Sequence, residues 1–211
     1  MTTYGVMQDR IIDECARDTD SAFPAIVRRE IQSAIRHYER ERFFFNEKRA
    51  TFSVSSSQEW YTSADLSDLP GIVEFDGLTI NLNSRLCPLT QRTFAYLEAI
   101  MSATTIFGDP TEFCIYRQQI RVYPVPNQGR AVTASYLYKF TTLSASTDTN
   151  AWMTDGEELI RSRAKRKLYA EVIKDTDQAV IAAQSEAEAL GSLRTETTAR
   201  LASGRIMPRY F

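Results

Sequence analysis

Residues 31–47, IQSAIRHYERERFFFNE, run a charged amphipathic segment directly into three consecutive phenylalanines. Val27, Ile31, Ala34, Ile35 and Tyr38 recur at spacings of three and four, which places them on one stripe of a helix. Arg28, Arg29, Glu30, Arg36, Glu39 and Arg40 fill the other face. Phe43, Phe44 and Phe45 cannot all leave water at the end of one helix, so a second layer must cover them. Packing is therefore the first constraint on this chain, ahead of any chemistry.

With 211 residues the chain has room for one compact domain or two small ones, and a 43% hydrophobic fraction suffices for a sizeable core. A formal charge of −2 argues against a general nucleic-acid coat, though not against a locally basic surface. No apolar run reaches the roughly 18–20 residues of a membrane span, so no membrane partner is expected. The first ten residues, MTTYGVMQDR, show no apolar core or cleavage pattern, and no secretory signal is expected. Cys15, Cys87 and Cys114 are odd in number and far apart, which fits a reducing cytoplasm better than a disulfide scaffold.

The pattern along the chain reads helices, strands, helices. A first helix is expected over 6–17, with Ile11, Ile12 and Cys15 inward, and a second to about residue 42, with Pro24 in its first turn. Strands are expected at 51–54 and 59–62 around three serines, and at 71–75 and 78–82 as a hairpin about Asp76-Gly77. Thr90 is placed to cap a helix carrying Phe94, Leu97 and Met101, and Gly108-Asp109-Pro110 breaks that segment. Phe113 with Ile115, then Ile120 with Val122, mark two further strands. Val132, Ala134, Tyr136 and Tyr138 alternate with residues expected to face outward.

Thr154 and Glu157 have the spacing of a capping box for a helix bearing Ile160, Ala164, Leu168 and Val172. A last helix from Thr176 has Val180, Ala183, Ala187 and Leu190 as a heptad-like seam. The expected fold class is α+β, mainly α. Residues 1–42 and 150–192 form a helical bundle, 43–149 a β-rich insertion with one helix, and 193–211 a basic extended tail.

Catalytic patterns are sparse. There is no phosphate-binding loop or dinucleotide turn, and three distant cysteines with one histidine do not make a zinc site, so neither cofactor nor metal is expected. His37 lies beside the stripe of an amphipathic helix, the setting of a structural or solvated histidine. Glu30, Asp109, Glu112, Asp155 and Glu157 are the carboxylates from which a glycan-hydrolysing pair would be drawn. Capping explains Glu157, and a turn explains Asp109. The basic run Arg161, Arg163, Lys165, Arg166 and Lys167 wraps around its helix, with Glu157, Glu158 and Glu171 near enough for pairing one turn away. Arg28, Arg36, Glu39, Arg161, Arg163 and Lys167 are taken as an intersubunit ion-pair face. The end of the chain sets Arg194, Arg200, Arg205, Met207, Arg209, Tyr210 and Phe211 against one acid, Glu196. It reads either as a frayed terminus or as an aromatic-tipped segment that folds onto a partner.

The order of these features resembles one family. Arg42-Phe43-Phe44-Phe45-Asn46-Glu47 is followed by Thr51-Phe52, Gly108-Asp109-Pro110, Ile120-Arg121-Val122-Tyr123-Pro124-Val125-Pro126 and Ser135-Tyr136-Leu137-Tyr138. Leu143-Ser144, Trp152 and paired helices come next. Over about residues 5–190 the chain resembles the head-to-tail adaptor (head-completion) proteins of tailed bacteriophages, above all the adaptor rings below the portal of short-tailed phages. The resemblance implies a structural protein without turnover, located at the head–tail junction of the virion and assembled in the host cytoplasm. It implies a ring of about twelve copies around a DNA channel. The C-terminal segment would reach the portal protein, and nozzle or fibre proteins would attach to the β-rich part. DNA would pass without sequence-specific binding, which the near-neutral charge suits. Two other readings stand beside it: a virion-associated carboxylate-dependent cell-wall glycan hydrolase, and a cytoplasmic protein-binding module that never forms rings.

Overall fold

A computed structural model describes residues 2–15, 21–102 and 104–203 of the chain. The elements begin with α1 (Tyr4–Glu14) and α2 (Phe23–Tyr38), followed by the strands β1 (Glu47–Val54), β2 (Trp60–Tyr61), β3 (Ile72–Leu82), β4 (Arg85–Pro88) and β5 (Thr90–Gln91). Then come α3 (Phe94–Met101), β6 (Phe107–Gly108), β7 (Glu112–Tyr116), β8 (Gln119–Tyr123), β9 (Val125–Pro126) and β10 (Arg130–Tyr138). The chain closes with α4 (Ala151–Thr154), α5 (Glu157–Lys167), a π-helical turn (Leu168–Ile173) and α6 (Thr176–Ser203). It is an α+β protein. Two compact units divide it: one from residues up to Asn46 and from Phe140 onward, the other from Glu47–Lys139.

In the helical unit α5 packs on α6, α2 and α1. Thr3 caps α1 by accepting from the Val6 amide, and Tyr4, Met7, Gln8 and Ile11 turn inward. The α2 stripe is buried as its spacing requires, at Phe23, Val27, Ile31, Ala34 and Tyr38, and Glu30 goes in with it. The helix stops at Tyr38, four residues before the expected end. The chain then bends so that the Phe43 ring is fully buried, edge-on to Trp152 at 5.7 Å and stacked on Phe45 at 5.5 Å. Asn46 fixes the bend: its side-chain oxygen accepts from the Phe43 amide at 2.8 Å and its amide donates to the Glu41 carbonyl at 2.8 Å. Phe44 and Phe45 are half-buried against the same core.

Thr154 and Glu157 do not form the expected capping box. Thr154 ends α4 and donates to Asp155, while Glu157 accepts from Thr2 at 2.6 Å. Gly156 occupies the N-cap of α5 because Trp152 lies under it; a Cβ there would stand 2.9 Å from the indole. The π turn ends at Lys174, in the left-handed region at φ 61°. The segment 193–203, expected to be extended, is instead the last part of α6. The reason is burial: Leu193 and Thr197 continue the inward side of the helix for two more turns.

The second unit holds two four-stranded sheets, in the orders β1-β10-β3-β4 and β2-β8-β7-β5, and a two-stranded β6-β9. One core draws Phe52, Leu78, Ile80, Val132, Ala134 and Tyr136 from the first sheet and Tyr61, Phe113, Ile120 and Val122 from the second. Asp76-Gly77 is not a hairpin turn. β3 runs through it, and the register against β10 steps from Gly77–Ser135 to Phe75–Tyr136, leaving Asp76 as the extra residue of a bulge. The turn falls at Asn83-Ser84, whose φ angles of 50° and 68° suit a two-residue hairpin loop. The strands on either side of the three serines join different sheets. Thr93, not Thr90, caps α3, because Thr90 is held in β5 beside β7. At Gly71, φ is 66° and a Cβ would meet the Lys139 carbonyl at 2.5 Å, so glycine admits the chain to β3.

Candidate assembly surface

On α6 the buried positions are Ala182, Glu186, Ala189, Leu193 and Thr197, a seam of spacings four, three, four and four. The expected seam, Val180, Ala183, Ala187 and Leu190, lies around the helix from it, and Val180 is 54% exposed. Apolarity alone misplaced the seam because its centre is a carboxylate. Glu186 is only 4% exposed, and its Oε1 accepts from the Tyr38 hydroxyl at 2.5 Å and from Arg163 at 2.7 Å. Arg166 pairs with Oε2 at 2.8 Å, and the Arg163 guanidinium lies over the Tyr38 ring. Burial pushes the Glu186 carboxyl up, but the Tyr38 and Arg163 hydrogen bonds and the arginine charges outweigh it and hold the group below its ordinary value. Burial, then the bond to Glu186, pushes the Tyr38 phenol up to about 12.

With Glu186 turned inward, the opposite side of α6 is open and mixed, with apolar residues beside exposed Gln184 and Glu188. Val180 and Ile181 are each 54% exposed, Ala187 is exposed, and a Cβ on Gly191 would meet nothing within 4 Å.

The residues expected to form an intersubunit ion-pair face are largely engaged inside the unit. Arg161 pairs with Glu14 at 3.1 Å, as does Lys165 at 2.7 Å, so the basic run does not pair one turn back as expected. Arg163 is committed to Glu186, and Lys167 donates to Ser33 at 3.1 Å with Glu30 at 3.8 Å. Arg36 donates to the Gln32 carbonyl, Arg28 is exposed on α2, and Glu39 is the half-buried C-cap of α2. Arg194 pairs with Glu41 at 2.5 Å, and Arg200 pairs with Glu196 while its guanidinium sits 3.7 Å from the Phe44 ring centre. Arg205, Met207, Arg209, Tyr210 and Phe211 lie outside the described residues.

The candidate carboxylates all have partners. Glu30 binds Arg29 at 2.9 Å, Asp109 binds Arg130 at 3.1 Å, and Glu112 binds Arg92 at 2.9 Å. Asp155 accepts from Thr154 at 2.8 Å, and Glu157 pairs with Arg10. His37 is exposed, and partial burial followed by the Arg163 charge lowers its pKa. Among the described residues no group of His, Cys, Asp and Glu is placed to hold a metal ion, and no helix is long and apolar enough to cross a membrane.

Sequence reasoning missed the Glu186 cluster and Arg121. Arg121 is 6% exposed, pairs with Glu59 at 3.2 Å and with Glu98, and lies over Trp60. A signal for the first existed: an acid at seam spacing, opposite a helix carrying Arg163 and Arg166 one turn apart. No search of curated proteins gave a match. The family model described as SU10 adaptor protein matches residues 2–209, and with nearly its whole length matched the chain belongs to that family of phage head-to-tail adaptors.

Proposed function

We propose that copies of this adaptor assemble side by side into a closed ring below the portal, with the open face of α6 as the contact between neighbours. The observation that supports the reading is the exposed pair Val180 and Ile181, with Ala187, Gly191 and the polar Gln184 and Glu188 on the same side, on a helix whose other side is already buried. A face of this kind that meets a different surface on the next copy generates a ring when the rotation closes. About twelve copies extend the portal channel, help retain packaged DNA and present a platform for nozzle or fibre proteins. The formal charge of −2 suits a channel that DNA slides through without sequence-specific contacts. Residues 205–211 reach the portal protein, with Arg194 and Arg200 at the root of that segment. Assembly takes place in the host cytoplasm, and the ring carries out no turnover. The ion pairs that occupy Glu30, Asp109, Glu112 and Glu157 favour this reading over glycan hydrolysis.

Electron microscopy of the purified protein mixed with portal rings tests the proposal. Added density of matching symmetry on the portal supports it. A chain that remains solitary at every protein concentration, with and without portal, sinks it.

A further inference from the structure

The β-rich unit contains a cleft of about 770 Å³. Its floor is apolar, from Leu66, Leu69, Ile72, Phe75 and Ile115. One wall is the first stretch of β3. β10 pairs with β3 along Ile72–Ile80 on one side, whereas β4 pairs only with Thr79–Leu82 on the other. Residues 72–77 therefore present a backbone edge that no strand occupies among the described residues. The facing wall comes from the second sheet. There β5 pairs only with Glu112 and Phe113, so the rest of β7 has no strand paired with it on that side among the described residues. Gln91 and Gln118 line this wall, and each carboxamide both donates and accepts, as a peptide backbone requires.

An unpaired edge beside an apolar trough is the geometry of strand addition. Charge selects the occupant. Glu74 is exposed on the edge, lines the cleft and has no cation paired with it among the described residues, while the one lysine of the lining, Lys139, stands beside Gly71 at the end of that edge. Two copies meeting edge to edge would set like charges against each other across the new pairing, which disfavours self-association there. A cation on the incoming strand reverses the sign.

We infer that this cleft binds an extended peptide segment of another protein, about six residues long, with apolar side chains at alternate positions and a lysine or arginine opposite Glu74. The incoming strand pairs with residues 72–77 of β3, its apolar side chains enter the trough, and the two glutamines meet its outer backbone groups. The inference rests on the chemistry of the cleft and not on the adaptor reading.

The test is selection of a displayed library of random dodecapeptides on the full-length chain. Enriched peptides alternate apolar residues and carry a lysine or arginine. A synthesised winner slows amide exchange at residues 72–77 at least tenfold. Glu74→Lys, at an exposed position, weakens that peptide at least tenfold with an unchanged melting curve. Ile115→Trp, which fills the trough, abolishes binding. Failure to enrich any peptide, protection confined to other segments, or indifference to Glu74→Lys overturns the inference. Ring formation on portals, read separately by microscopy, reports on the adaptor reading alone, so the two can fail independently.

Discussion

The Tyr38 hydroxyl donates to the Glu186 carboxylate at 2.5 Å, joining α2 to α6 across 148 positions of sequence. This bond, with Arg163 on the same oxygen, fastens the long C-terminal helix to the unit. Its seam otherwise offers mainly small side chains, Ala182 and Ala189, before Leu193.

Glu186→Gln leaves Arg163, itself only 11% exposed, without its counter-charge. The expected loss is about 3–5 kcal/mol in denaturant unfolding. A loss under about 1 kcal/mol would show that the cluster contributes no net stability.

The same cluster contributes to the pH dependence at both ends. The Glu186 pKa is lower folded than unfolded, so its contribution is present above the ordinary carboxylate value and disappears as pH falls through the folded value. Tyr38 is raised to about 12, so its contribution is present below the unfolded phenol value of roughly 10 and disappears as pH climbs from there to about 12. Melting curves of Glu186→Gln and the parent converge at acid pH. Tyr38→Phe lessens the alkaline loss between roughly pH 10 and 12 without abolishing it, because Tyr169 is also pushed up to about 12. An alkaline limb of unchanged size in Tyr38→Phe shows that Tyr38 makes no part of that loss and leaves it to Tyr169 and the other buried phenols.

Phe43→Ala empties a fully buried ring site between Trp152 and Phe45, at an expected cost of about 3–5 kcal/mol. Phe44→Ala removes a half-buried ring and costs less. Equal melting temperatures for the two variants would contradict the packing of this corner.

Val180→Asp together with Ile181→Asp puts two charges on the open face of α6. The monomer keeps its melting curve because neither side chain is buried, and rings no longer form on portals under the microscope. Normal rings from this variant move the contact elsewhere.

Deletion of residues 205–211 leaves the fold intact and abolishes portal capture in a pull-down. Equal capture by truncated and full-length protein removes that segment from the interface.

Where apolar spacing matched burial, the elements were legible in advance. The α2 stripe and the β10 alternation at Val132, Ala134 and Tyr136 are two such cases. The failures have particular causes. Asp76-Gly77 has turn chemistry, but a strand absorbs it as a bulge because β10 pairs on both sides of it. Thr154 and Glu157 have capping spacing, but Trp152 under Gly156 sets the start of α5 and Arg10 takes the carboxylate. The α6 seam was displaced because a buried acid is readable only with its partners, and Tyr38 and Arg163 lie far away in sequence. The cleft depends on where β4 and β5 stop pairing, which no local pattern records.

Within the β-rich unit, Glu47 at the start of β1 pairs with Leu137 near the end of β10. The chain thus enters and leaves that unit on neighbouring strands. For the helices the whole excursion is equivalent to a short connection, and closing a short connection costs little entropy whatever hangs from it. The β module is therefore graftable: a different module with adjacent ends, or a few linker residues, can replace it without respacing the helices.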